Sequence, residues 1–148
     1  MTWEERYHPL RDEWVVISAH RDARPWKGEV VRAATEPLPA LSADCTFCPR
    51  QRRVSGTTNP DYSGVHVFDN DVPCVAPDAC EPPPMAGPYR SRAAKGLSRV
   101  VCFSPRHDLS LAEMSSKEID RVLEVWQQQY RELGDRPEVE NVLAFENK

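Results

Sequence analysis

A chain of 148 residues, 40% hydrophobic and 28% charged, is long enough to bury one sizeable core and too short to expect two. Its net charge of −4 excludes a basic nucleic-acid surface, and the composition excludes a disordered acidic tail. The apolar runs, such as Trp14-Val15-Val16-Ile17, fall far short of a membrane span, and the polar start Met1-Thr2-Trp3-Glu4-Glu5-Arg6 is no signal peptide, so a soluble cytoplasmic protein with no nucleic-acid and no membrane partner is expected.

In chain order, Pro9-Leu10-Arg11-Asp12-Glu13 reads as a turn and 14–18 as a strand, while His20-Arg21-Asp22-Ala23-Arg24-Pro25-Trp26 is too polar and proline-broken to continue it. Asn59-Pro60-Asp61-Tyr62-Ser63-Gly64 is turn-rich and leads into a short strand, Val65-His66-Val67-Phe68. Between Val72 and Tyr89 six prolines remove backbone donors and fix φ, which predicts a long surface loop or an ordered excursion. Strand character resumes over 98–103, and Pro105 ends it just before His107.

The clearest element is a helix over 116–133. Ser115 and Glu118 form an S-x-x-E capping box, Met114 can staple onto Ile119, and Ile119, Val122, Leu123, Trp126, Tyr130 and Leu133 keep to one face. Gly134 reads as the residue just past the end, and a last strand is expected over 139–145. The fold class is therefore α+β, an antiparallel sheet with a packed helix, in a single domain over 1–148.

Five cysteines, an odd number at irregular positions (45, 48, 74, 80 and 102), argue for metal binding or free thiols rather than a disulfide framework. In Cys45-Thr46-Phe47-Cys48 two thiolates separated by two residues can clasp one tetrahedral Zn²⁺. A redox pair and unrelated buried thiols are the competing readings. A redox pair normally opens a helix, however, and here Pro49 and Arg50-Gln51-Arg52-Arg53 lie between loop and strand signals. His107, at a strand's exit, is a third candidate ligand; Cys74, Cys80, His8, His20 and His66 are rivals, and Cys102 alternates onto a face that suits the core.

Arg21 and Arg24 can grip phosphate, because guanidinium forks match phosphate oxygens, or they can line a solvated loop. Asn70 and Asp71 can accept hydrogen bonds from a ribose or base, though Asp-Asn-Asp is equally ordinary turn chemistry. No nucleophilic triad, dinucleotide fingerprint or Walker loop is present.

Together these segments resemble the N-terminal half of the galactose-1-phosphate uridylyltransferase family of the histidine-triad superfamily. The resemblance runs along essentially the whole chain, through Arg6-Tyr7-His8-Pro9-Leu10, Trp14-Val15-Val16-Ile17-Ser18, His20-Arg21-Asp22-Ala23-Arg24-Pro25-Trp26, Cys45-Thr46-Phe47-Cys48-Pro49, Asn59-Pro60-Asp61-Tyr62-Ser63-Gly64, Phe68-Asp69-Asn70-Asp71, Cys102-Phe103-Ser104-Pro105-Arg106-His107 and Phe145-Glu146-Asn147-Lys148. It implies uridylyl exchange between UDP-glucose and galactose-1-phosphate by ping-pong chemistry through a uridylylated histidine. It further implies that Cys45, Cys48 and His107 are zinc ligands and that Arg21, Asp22, Ala23, Arg24, Val54, Asn70, Asp71 and Asn147 contact the UDP-sugar.

The family's His-Pro-His-x-Gln motif, which carries a fourth zinc ligand and the nucleophilic histidine, does not occur among these residues. The expectation is an incomplete histidine-triad-like half domain, truncated at its C-terminal end and inactive until a second polypeptide supplies the rest. A family-like homodimer is compatible with the resemblance. The alternative reading is a non-catalytic remnant that binds zinc or UDP.

Overall fold

Trp3–His8 (β1) and Glu13–Ser18 (β2) pair antiparallel from Trp3 opposite Ser18 to His8 opposite Glu13. The turn between them closes where the Arg11 and Asp12 amides both donate to the His8 carbonyl, with Asp12 at φ 53°, a left-handed conformation that aspartate tolerates. The Tyr7 hydroxyl donates to Asp12 Oδ1 at 2.7 Å and secures it. These and the further elements come from a computed structural model that describes residues 3–18 and 37–146.

The remaining elements are His66–Asp69 (β3), Ser91–Ala93 (β4), Arg99–Cys102 (β5), a 3₁₀ turn at Leu111–Glu113 and one helix, Ser116–Gly134 (α1). They form a three-stranded sheet in the order β2-β1-β4, antiparallel throughout, and a two-stranded sheet of β3 with β5. The α+β architecture with antiparallel strands and one helix is as expected.

The chain divides into two compact units: Met1–Val31 with Asp69–Val100, and Arg32–Phe68 with Val101–Lys148. In the first, β1 is central even though its sequence, Trp-Glu-Glu-Arg-Tyr-His, gives no apolar alternation. Pairing makes this tolerable, because buried Glu4 accepts from the Arg6 guanidinium and Glu5 is ion-paired with Arg92 from β4. The Arg92 guanidinium also lies 4.3 Å over the ring of Trp14. Here the proline-rich stretch is an ordered excursion: the Trp3 indole donates to the Pro73 carbonyl at 3.1 Å, and the Ala76 amide donates to Ala94. Ala76, Ala79 and Ala94 are the buried apolar residues where it packs.

The second unit is built on α1. Ser115 and Glu118 cap it reciprocally, and Val122 is its one fully buried side chain. Met114 is buried just before the helix, as a staple should be.

Three expectations are corrected. Gly134 is the helix's last residue, not the residue beyond it; Asp135 closes the helix in right-handed conformation, its amide donating to the Arg131 carbonyl at 2.8 Å. Leu123 and Tyr130 lie on the exposed side of the predicted stripe, at 45% and 55% accessibility. Residues 139–146 form no strand, and Leu143 and Phe145 are exposed. Strand propensity needs a neighbouring ladder to satisfy its backbone, and none is offered to this segment among the described residues.

Candidate metal centre

Three successive turns build the cysteine loop. The Cys45 amide donates to the Ser42 carbonyl, the Cys48 amide to Cys45, and the Gln51 amide to Cys48, at 3.2–3.3 Å. The middle turn folds Cys45 back towards Cys48, as a shared metal requires. His107 joins from a turn beyond β5, where its amide donates to the Ala40 carbonyl at 2.8 Å and so ties its backbone to the approach of the cysteine loop. Its neighbours Arg106 and Asp108 are paired across it, Arg106 Nε donating to Asp108 Oδ1 at 2.9 Å.

One ligand atom from each of Cys45, Cys48 and His107 lies within 4.8 Å of the others. Tetrahedral zinc with two sulfurs and an imidazole nitrogen has ligand separations of roughly 3.5–3.8 Å, which this cluster reaches with small adjustments. Two soft thiolates and an imidazole suit zinc better than a hard cation that prefers oxygen. No other trio of histidine, cysteine or acidic side chains converges in this way among the described residues. Cys74, Cys80, His8, His66 and Cys102 stand outside the cluster, and His20 lies outside the described residues.

Burial, and then the proximity of Cys45, push the Cys48 thiol above its ordinary pKa. A bound cation would reverse this by holding both sulfurs as thiolates. Cys102 is pushed up to about 11, chiefly by burial, which marks it as a neutral thiol. The Tyr62 hydroxyl is raised well above its usual value by burial and by neighbouring Cys102.

Of the residues singled out for a UDP-sugar, Arg21, Asp22, Ala23, Arg24 and Asn147 lie outside the described residues. Val54 stands exposed at the tip of a tight turn in which Arg53 and Thr57 are bonded and Gly56 takes φ 88°. Asn70 makes the turn contacts that were its alternative reading. Its Oδ1 accepts from the Val72 amide at 3.0 Å, and its Nδ2 donates to Ser98 Oγ at 3.1 Å. Asp71 follows, half-buried.

The sequence matches the profile described as galactose-1-phosphate uridyl transferase, N-terminal domain, over residues 1–148. The chain belongs to this family. Galactose-1-phosphate uridylyltransferase of Haemophilus influenzae is 42% identical over 144 residues, an alignment covering 97% of this chain and 41% of that protein. The Rattus norvegicus protein of the same name is also 42% identical, with 97% and 38% covered. The chain thus spans about two-fifths of the length of the curated relatives it matches.

A solved uridylyltransferase structure superposes with a TM-score of 0.56 at 27% identity, covering 87% of this chain and 37% of that one. A uridylyltransferase mutant at 22% identity, with a TM-score of 0.60 and 90% and 35% covered, speaks for the fold alone.

Within this family member, sequence reasoning passed over two residues beside the cluster, Asn59 and Tyr62. Asn59 is buried, and its Nδ2 donates to the carbonyls of Thr46 and Cys48 at 2.9 and 3.0 Å. The Tyr62 hydroxyl donates to the Phe47 carbonyl at 2.6 Å. Only the placement of both in one turn-rich motif hinted at them, and turn chemistry accounted for that motif without a second role.

Proposed function

We propose that this chain is the zinc-binding, nucleotide-contacting N-terminal part of a UDP-glucose:hexose-1-phosphate uridylyltransferase of galactose metabolism, working in the cytoplasm. The convergence of Cys45, Cys48 and His107 carries the reading, because two thiols and an imidazole brought this close offer three of the four donors that tetrahedral zinc takes. Zinc in such a centre fixes the loop geometry around it and needs no redox role. Arg21 and Arg24 neutralise the diphosphate of the sugar nucleotide, and Asp22, Ala23, Val54, Asn70, Asp71 and Asn147 complete the contacts.

The transfer itself releases glucose-1-phosphate by breaking the bond between the uridylyl phosphorus of UDP-glucose and the oxygen that bridges it to the β-phosphate. It passes the uridylyl group to a histidine and then to the phosphate oxygen of galactose-1-phosphate. That histidine comes from a His-Pro-His-x-Gln segment outside these 148 residues, on the remainder of a longer chain or on a second polypeptide.

The test is uridylyl transfer from UDP-glucose to galactose-1-phosphate by this chain, alone and mixed with the complementary portion of a relative. Activity confined to the mixture establishes the reading. Zinc or UDP binding without activity in either arm turns it towards a non-catalytic binding module.

A further inference from the structure

The loop that carries Cys45 and Cys48 is held from outside by residues that ligate nothing. Three consecutive carbonyls, those of Thr46, Phe47 and Cys48, accept side-chain hydrogen bonds from a single stretch, residues 59–62. Asn59 spans two of them with one amide nitrogen, and Tyr62 takes the third between them. The stretch is itself fixed, since the Asn59 amide donates to the Gln51 carbonyl at 2.9 Å and the Arg50 amide to the Pro60 carbonyl at 3.3 Å.

The orientation of Asn59 has only one solution. Its nitrogen must face the two carbonyls, and its Oδ1 is then buried with no hydrogen-bond partner among the described residues. A buried acceptor left unsatisfied is unfavourable, so whatever this side chain contributes comes through its nitrogen.

We infer that Asn59 and Tyr62 are positioning residues for the metal centre, holding the Cys45–Cys48 loop in its ligating shape before an ion arrives. The inference rests on the zinc reading given above. Without a cation nothing draws the two sulfurs together, and a loop of two intervening residues has little stiffness of its own. Outside partners that fix its carbonyls reduce the ordering that binding must supply. Each carbonyl held by the 59–62 stretch also fixes the plane of its peptide, and with it the direction of the adjoining Cα–Cβ bond.

The experiment measures zinc affinity of the full chain by chelator competition, together with the visible absorption of the cobalt-substituted protein. The variants are Tyr62→Phe, Asn59→Ala and Asn59→Asp. Tyr62→Phe keeps the ring and removes only the donor; Asn59→Asp keeps the size and removes both donations. Zinc affinity is expected to fall about tenfold in Tyr62→Phe and ten- to a hundredfold in the Asn59 variants, with a changed cobalt spectrum. Asn59→Asp should lose at least as much as Asn59→Ala, because the donations are lost and an ionised carboxylate adds repulsion against the two carbonyls.

A merely structural role predicts a lower Tm with and without metal and unchanged affinity. If Asn59 variants do not fold, Tyr62→Phe decides. Affinities within twofold of the parent overturn the inference and leave the zinc centre standing. A parent chain that binds no zinc overturns both.

Discussion

Tyr62 and His66 stack, their ring centroids 4.7 Å apart and their planes 20° from parallel. Burial, and then the positive charge of Arg53, lower the His66 pKa below its ordinary value near 6.5. The unfolded chain therefore takes up this proton first. Above about pH 6.5 His66 is neutral in both states and costs nothing. As pH falls below that value the folded form is progressively disfavoured, until the folded pKa is passed and the loss levels off. Tm measured against pH in chelator-treated protein should fall more steeply below pH 6.5 for the parent than for His66→Phe, which keeps the stack with Tyr62. Parallel curves would remove His66 from the explanation.

The sulfur ligands make a sharper forecast. Cys45→Ser, Cys48→Ser and His107→Ala should each cut the zinc-to-protein ratio of the purified chain to a small fraction of the parent's, whereas Cys102→Ser should leave it intact. Elemental analysis gives the ratio directly. Parent-level zinc in Cys45→Ser would refute the ligand assignment.

Two neighbours on the helix should respond differently to the same truncation. Val122 is 1% exposed, and Val122→Ala removes two buried carbon groups and leaves a small cavity, at a cost of about 2 kcal/mol. Leu123 is 45% exposed, and Leu123→Ala should cost no more than about 1 kcal/mol. Urea denaturation of both variants would show the order, and a reversed order would mean that the helix turns its other side inward.

At the start of the same helix, Ser115 Oγ accepts from the Glu118 amide, and the Glu118 carboxylate accepts from the Ser115 amide at 2.9 Å. Ser115→Ala breaks the box and should cost about 1 kcal/mol. Circular dichroism through a thermal transition would register it, and an unchanged Tm would mean that the first turn is secured by packing alone.

The helix was legible because its signals are local. Ser115, Glu118 and the 3.6-residue spacing of Ile119, Val122 and Trp126 speak within one element, and the helix lies within a residue of where they put it. The unread strands depend on distant partners. β1 carries Glu4, Glu5 and Arg6 in succession, and nothing nearby announces that Arg6 and Arg92 will neutralise the acids. β4 has only three residues, too few to show a period. The converse error, a strand over 139–145, came from taking an apolar stretch as sufficient when a ladder is also needed.

At the candidate metal centre, Cys45 and Cys48 declare themselves through spacing. His107 is distant in sequence and becomes adjacent only when its amide meets Ala40. Asn59 was hidden for another reason. Asparagine before proline is so ordinary in turns that its two carbonyl contacts leave no further mark on the sequence.

Phe103 meets Trp126 edge to face, with ring centroids 5.8 Å apart. Phe103 follows β5 directly and stands four residues before His107, so the indole of Trp126 rests against the segment that delivers the histidine. The molecule therefore carries its own optical gauge. Were a cation bound at His107 as proposed, any adjustment of the segment would alter the packing around Trp126, one of four tryptophans, and its emission would report the loading once Trp3, Trp14 and Trp26 are replaced by Phe.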